Sequence, residues 1–386
     1  MVAVALLAVS GCDSPVPFYR PGEGSPHAPR IALGGPAPYA PPHPTSPAPA
    51  PVPQRPGGNV YAAAGPGMLA PTARGLPPRV YVPNAATGTV DVIDQRTGRL
   101  AGRIRVGGTP DLIVPAGDLR RLWVTDLDGG VFRPVAPNPA RRGEPLRISR
   151  PGVPYFSPDG RTAIVPAARP GRIDFRHPHT MEPLGTLRLP CTGAYRAGFS
   201  ADGSSLVATC PASRKLVRVD LARRAVTAEL KLPRGARPGD LRLSPDGRTF
   251  LVADPAKGGL WTVDAARLRA TGFVRTGPGA HGLVFDRSYR RLFVVGRDGT
   301  VSAYDLAGGT VSRLFRLPGG RPLLAGGVSP DGGALWLSDP LDGTVYALST
   351  QTGRPFHKVR VGGHPGSPCV HPQPGRVSLG GTGLYR

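Results

Sequence analysis

The sequence predicts an all-β fold, a seven-bladed β-propeller preceded by a proline-rich disordered arm, and three observations carry that expectation. The first is a repeat: the stretch RVYVPNAATGTVDVIDQRTGRLAGRIRVGG at 79–108 returns in variant form six more times. The second is its period. Copies begin at Arg79, Arg121, Thr162, Ser205, Thr249, Arg291 and Ala334, with a partial eighth at Arg376, spaced 42, 41, 43, 44, 42, 43 and 42 residues apart. Periods of about 40 to 45 residues that hold four short strands are propeller blades. The third is a recurring reversal, FSPDG at 156–160, FSADG at 199–203, LSPDG at 243–247 and VSPDG at 328–332.

Within the first copy, Val80 and Val82 alternate with other residues, Ala86 to Gly88 break the run, and Val90 and Val92 alternate again before the break at Gln95 to Gly98. A third run from Leu100 to Val106 ends at Gly107. Period-two alternation punctuated by Gly, Asn and Asp is the pattern of a β-meander. The Asp-Gly reversals complete each unit, because Gly160, Gly203, Gly247 and Gly332 are free to adopt positive φ. These aspartates are read as turn residues, since isolated Asp-Gly pairs lack the dense oxygen spacing of a calcium loop.

With VYVPN, TVDVID, RIRVG and SPDGR in view, residues 79 to about 376 resemble the YVTN-type β-propeller repeat of bacterial surface and secreted proteins. The resemblance implies a seven-bladed propeller, which the spacing reaches independently. It implies no single activity, because related propellers include lactone hydrolases, redox enzymes and plain binding scaffolds.

The organisation expected is a signal segment at 1–12, a tether at 13–78 and a propeller at 79–386. The run MVAVALLAVSGC resembles the lipobox of bacterial lipoproteins, which would make Cys12 an acylated membrane anchor, although no Lys or Arg precedes the apolar run. A degenerate secretion signal is the alternative. Residues 13–78 carry 19 prolines in 66 positions and few large apolar residues, a composition suited to an extended tether. Asn59 to Ala63, NVYAA, is the strand-like piece within it and is a candidate cap on the ring. The resulting localisation is extracytoplasmic, lipid-anchored to the bacterial cell membrane.

Cysteines fit that compartment. Cys191 and Cys210 flank one hairpin whose antiparallel pairing brings its ends together, so a disulfide is reasonable, with two buried free thiols as the alternative. Cys369 reads as a small core residue of the last inner strand.

The formal charge is +23, and Arg and Lys are mostly in the repeats. Just before the last apolar residue of the third run, the seven copies place Arg105, Arg147, Arg188, Lys231, Arg275, Arg316 and Arg360, where the family pattern usually has proline. If those runs are the outermost strands, the seven cations form a belt around the circumference. Such a belt either blocks sheet-to-sheet aggregation at exposed edges or concentrates a polyanion such as a wall teichoic acid or anionic lipid headgroups. Nucleic acid is not expected as a partner.

Loops that lead into the innermost strands supply Thr109, Arg150, Arg237, His281, Arg321 and His364, a candidate anion or carboxylate pocket at the channel mouth. Asp111, Arg196, Asp240 and Arg242 fall inside inner strands and are expected to neutralise one another. The six histidines of the repeat region do not recur at one strand position, which argues against a copper centre, and His177 and His179 form an HxH pair in an outer turn. No nucleophile elbow, phosphate loop or zinc spacing occurs. The expectation is therefore a monomeric binding or interaction scaffold without cofactor, metal or catalytic residues, for an envelope polyanion or a protein partner. A lactonase-like hydrolase at the channel mouth, relying on His281, is the alternative. The ring should close through His364 to His371, as innermost strand of the blade begun by Arg79.

Overall fold

The computed structural model describes residues 59–386 apart from 138–139, 150, 168–170 and 318. The signal segment, Cys12, most of the arm and Arg150 lie outside the described residues. All described residues belong to one unit, 38–386.

That unit is a seven-bladed β-propeller. Six strands that begin the repeats are buried almost throughout: Arg79–Asn84, Leu122–Asp126, Ala163–Ala167, Ser205–Cys210, Thr249–Asp254 and Ala334–Asp339. The equivalent strand of the sixth blade is Arg291–Val295. Both faces of these strands pack against neighbouring blades, which is why runs such as TFLVAD and ALWLSD are nearly continuously apolar instead of alternating. Inside each lies an innermost strand: Leu112–Pro115, Tyr155–Phe156, Ala197–Phe199, Leu241–Leu243, Gly282–Phe285, Leu324–Val328 and Cys369–His371. Trp123 and Trp336 are fully buried between blades.

The ring closes as the sequence anticipates. Cys369–His371 pairs antiparallel with the first repeat strand, in the register Arg79↔His371, Val80↔Val370 and Tyr81↔Cys369. The first blade thus takes its innermost strand from the far end of the chain, and opening the ring requires breaking this seam.

The Asp-Gly reversals are tight turns built around their serine. In the third blade Ser157 Oγ donates to Asp159 Oδ1 at 2.5 Å and accepts from the Thr162 N–H at 3.0 Å, while Asp159 accepts from the Arg161 N–H at 3.0 Å. Gly160 sits at φ 69° and Gly332 at φ 85°, the left-handed region that any side chain would strain.

The second blade departs from the pattern. Its third strand, Val131–Pro137, pairs with two short pieces, Ala140–Arg142 and Leu146–Arg147, in place of one outer strand. Pro134 and Pro137 lack N–H donors, which interrupts a continuous ladder there.

Two segments outside the repeats pack on the ring. Residues 59–62 form a turn, not a strand, and Val60, Tyr61 and Ala64 are buried. Tyr61 stacks on Tyr289 with centroids 4.6 Å apart and donates its hydroxyl to the Leu243 carbonyl at 2.8 Å. At the other end, Ser378–Gly380 and Leu384–Tyr385 form a hairpin that joins the third blade on the inner side of Tyr155–Phe156, through Gly380↔Tyr155. The stretch at the start of the eighth repeat therefore pairs inside the channel.

Candidate functional site: the crossover face and its rim

Each outermost strand hands the chain to the innermost strand of the next blade on one face of the ring, called here the crossover face; the Ser-x-Asp-Gly turns lie on the opposite, turn face. The hairpin enters from the turn face. Its final guanidinium, Arg386, donates to the Phe199, Ser200 and Ala201 carbonyls beside the fourth turn at 3.2, 2.8 and 3.0 Å. Its tip reaches the Asp240–Arg242 ion pair, where Arg242 Nη2 donates to the Thr382 carbonyl at 2.8 Å and Thr382 Oγ1 donates to Asp240 Oδ2 at 3.2 Å. The cavity left beside it is about 50 Å³, lined by Arg242, Arg287, Tyr289, Cys369, Gln373 and Tyr385 among others. At roughly 10–15 Å³ per water, it has room for a few waters.

Of the four charges expected inside inner strands, Arg242 lies within one, while Asp111, Arg196 and Asp240 stand one residue before theirs, and their charges are mostly consumed locally. Arg242 and Asp240 pair at 2.7 Å while buried, and Asp240 also accepts the Leu283 N–H of the next blade at 3.1 Å. Asp111 Oδ2 accepts the Leu127 N–H at 2.9 Å, and burial holds its carboxyl above the usual range. Burial opposes the Arg196 charge, but Tyr195, Tyr155 and Asp240 outweigh it, and the guanidinium lies 4.1 Å from the Tyr195 ring centroid. Burial also pushes the Cys369 thiol up to about 12, which leaves it protonated at neutral pH and poorly nucleophilic.

The structure gives the channel-mouth candidates a common arrangement. Thr109 donates its N–H and hydroxyl to Asp126 at 2.9 and 3.0 Å. Arg237 donates its N–H to both oxygens of Asp254 at 3.1 Å, and His364 donates its N–H to Asn84 Oδ1 at 3.0 Å. Arg321 forms ion pairs with Asp342 at 3.4 Å and Asp339 at 3.9 Å. Asn84, Asp126, Asp254 and Asp339 all stand five residues after a repeat start, at the end of the buried second strand, so each clamps the crossover that passes over it. In the fourth blade that position is Cys210, and a disulfide to Cys191 at Cα–Cα 6.2 Å ties down the crossover instead. Sequence reasoning missed this clamp, although five of the seven aligned copies carry it.

Of the candidates, His281 differs. Its Nδ1 lies 3.1 Å from the Gly279 carbonyl, its Nε2 is buried without a hydrogen-bond partner, and burial lowers its pKa, opposed by that carbonyl. Thr109, Arg237, Arg321 and His364 each contact Asp or Asn side chains of the blade they lead into, and among the described residues no hydrogen bond or ion pair joins any of them to His281. Among the described residues no group of three or more His, Cys, Asp and Glu side chains could hold a metal ion. His177 and His179 stack edge to face at 5.7 Å, with His179 Nδ1 3.6 Å from Asp118.

The seven belt residues are each the last residue of an outermost strand, and all are exposed. They lie at one end of those strands, beside the crossovers, so the charge forms a rim around the crossover face and not a band around the middle of the circumference. Arg316 and Arg360 have carboxylates 3.6 and 3.7 Å away, Asp298 and Asp342. Among the described residues, Arg105, Arg147, Arg188, Lys231 and Arg275 have no acidic group within 4.0 Å. Two blades also place cations directly across from one another, Arg172↔Arg188 and Lys215↔Lys231. Like charges in that position destabilise a sheet pair, and Asp174 at 2.8 Å from Arg172 and Glu229 at 2.7 Å from Lys215 relieve only one member of each.

No family model and no curated protein sequence matches the chain. Solved structures match it as folds. A functionally unknown protein from Desulfotomaculum acetoxidans superposes with a TM-score of 0.64 at 15% identity, covering 76% of this chain and 98% of that one. The dihydro-heme d1 dehydrogenase NirN gives 0.58 at 13% identity, covering 82% and 79%, and AztD from Citrobacter koseri gives 0.55 at 14%, covering 80% and 99%. At these identities the likeness establishes the propeller architecture.

Proposed function

We propose that this protein is an exported propeller of the YVTN type, held to the membrane through Cys12, that binds an anionic envelope polymer along the rim of its crossover face. The observation that carries the reading is the set of seven exposed rim cations, five of them without an acidic partner among the described residues. Edge protection accounts for them less well. Lys and Arg on an edge strand blunt sheet pairing, and in three blades Arg103, Arg313 and Lys358 already stand exposed along the outer strand, so the cations at the strand ends are not needed for it there. The cross-strand pairs Arg172↔Arg188 and Lys215↔Lys231 point the same way, because a bound polyanion offsets the repulsion they carry. A hydrolase reading at the channel mouth gains less support, since among the described residues no hydrogen bond or ion pair joins His281 to another of the mouth candidates.

The test is retention of the full-length protein on isolated cell walls across a salt series. The fourfold variant Arg105→Glu, Arg188→Glu, Lys231→Glu and Arg275→Glu should lose retention by at least about tenfold at low salt. Retention indifferent to both salt and these reversals would remove the reading. The anchor is tested separately: Cys12→Ala should release the protein from membranes, and unchanged membrane retention would contradict it.

A further inference from the structure

On the turn face, away from the rim, a cavity of about 680 Å³ opens between residues 60–74 and the reversals of the third and fourth blades. Its size falls within the range of roughly 300–1,000 Å³ typical of small-molecule sites. One wall is apolar, formed by Val60, Met68, Leu69 and Ala201, and Met68 leaves 52% of its surface to water there. The other side carries Arg74, Arg376 and Arg386.

These arginines are only partly committed. Arg376 is exposed, and among the described residues it has no side-chain hydrogen bond and no carboxylate within 4.0 Å. Arg74 spends its Nε on the Leu69 carbonyl at 3.3 Å. Arg386 is buried with its two Nη groups on carbonyl oxygens, and its Nε has no partner. The one acidic side chain in the lining, Asp202, is occupied by the Ser200 hydroxyl at 2.6 Å and by the Ser204 hydroxyl and N–H at 2.8 and 3.1 Å. Three guanidinium side chains thus face one side-chain carboxylate that already has its donors, beside a wall that gains nothing from water. A wholly polar anion would leave Met68 and its neighbours wet, and a neutral apolar molecule would leave Arg376 unpaired.

We propose that this cavity binds a small amphiphilic organic anion, a carboxylate head against Arg376 and Arg74 with an apolar body along Met68 and Leu69. The site is independent of the rim and of any polyanion. The test is calorimetric titration of the full-length protein with sodium octanoate, with sodium acetate and octylammonium chloride as head-only and charge-reversed probes. Octanoate should bind saturably at one site, and the other two at least about tenfold more weakly. Arg376→Glu and Met68→Asp should each weaken octanoate by at least about tenfold. Both positions are exposed, so unchanged unfolding midpoints are expected and separate lost binding from lost folding. Octylammonium binding as tight as octanoate, wild-type affinity in either variant, or no saturable octanoate binding at millimolar concentration would overturn the proposal.

Discussion

The crossover clamp is most sharply tested at Asp254. This side chain is fully buried, and its carboxylate accepts from four donors: the Arg237 N–H at 3.1 Å to each oxygen, the Ala256 and Lys257 N–H groups at 3.0 and 3.1 Å, and Trp261 Nε1 at 2.9 Å. Asp254→Ala removes the acceptor of all four donors at once. A hydrogen bond to a charged group contributes about 1.5–3 kcal/mol net. Arg237, Ala256 and Lys257 are exposed, so their N–H groups can turn to water, whereas the half-buried Trp261 indole regains less. The expected loss is therefore about 3–5 kcal/mol, well short of four full bonds but in the upper tail of single substitutions. Urea unfolding followed by tryptophan emission measures it, and Trp261 should also shift its emission in the folded state as its donor loses the carboxylate. A loss below about 1 kcal/mol with unchanged emission would refute the view that these residues hold the crossovers.

Three further outcomes follow from other contacts. Reducing the Cys191–Cys210 disulfide, which closes a sequence separation of 19, should cost about 3 kcal/mol in the same urea assay, and an unchanged midpoint in reductant would contradict it. His371 is buried with neither ring nitrogen hydrogen-bonded among the described residues, and burial lowers its pKa from 6.5 to about 4. The unfolded chain takes up that proton first, so its contribution is complete above pH 6.5 and is lost as pH falls towards 4, a change of about 3 kcal/mol that His371→Leu should abolish. Equal pH dependence in the two proteins would show that His371 does not set it. Gly380 sits at φ 77° with the Pro154 carbonyl 2.5 Å from where a Cβ would stand, so Gly380→Val should displace the channel hairpin. Faster proteolysis of residues 376–386 is the readout, and wild-type protection would argue against that pairing.

Much of the architecture was legible because a propeller repeats its chemistry. One blade alone is an ambiguous meander, but seven copies at nearly constant spacing fix blade number and strand order and put the closing strand within His364 to His371, of which the structure forms Cys369–His371. What escaped the sequence lies where repetition stops. Asn59 to Ala63 reads as a strand by composition, yet Tyr61 is held as a turn residue by stacking on Tyr289 and bonding to Leu243, contacts more than 180 positions away that no local propensity encodes. The segment from Arg376 looked like an eighth unit because it begins like one. Its actual partner, Tyr155, belongs to the third blade and is reachable only through the channel. Loop position alone points the mouth residues at the channel, but hydrogen bonding ties Thr109, Arg237 and His364 to the strand ends below them. The residue five places into five of the seven copies carried that information, since Asn84, Asp126, Cys210, Asp254 and Asp339 all serve one clamp, whereas Ala167 and Gly296 take that place in the other two. The rim cations were visible in alignment, while their confinement to one face needed the strand directions.

The functional account turns on electrostatics at that rim, and the most direct measurement is the salt dependence of polyphosphate binding by the full-length protein. For wild type, affinity should fall by at least about tenfold between 50 and 300 mM salt, as expected when several exposed cations meet a flexible polyanion. The fourfold variant Arg105→Glu, Arg188→Glu, Lys231→Glu and Arg275→Glu should show neither the affinity nor the dependence. Binding that ignores salt, or that survives those four reversals, would contradict the account.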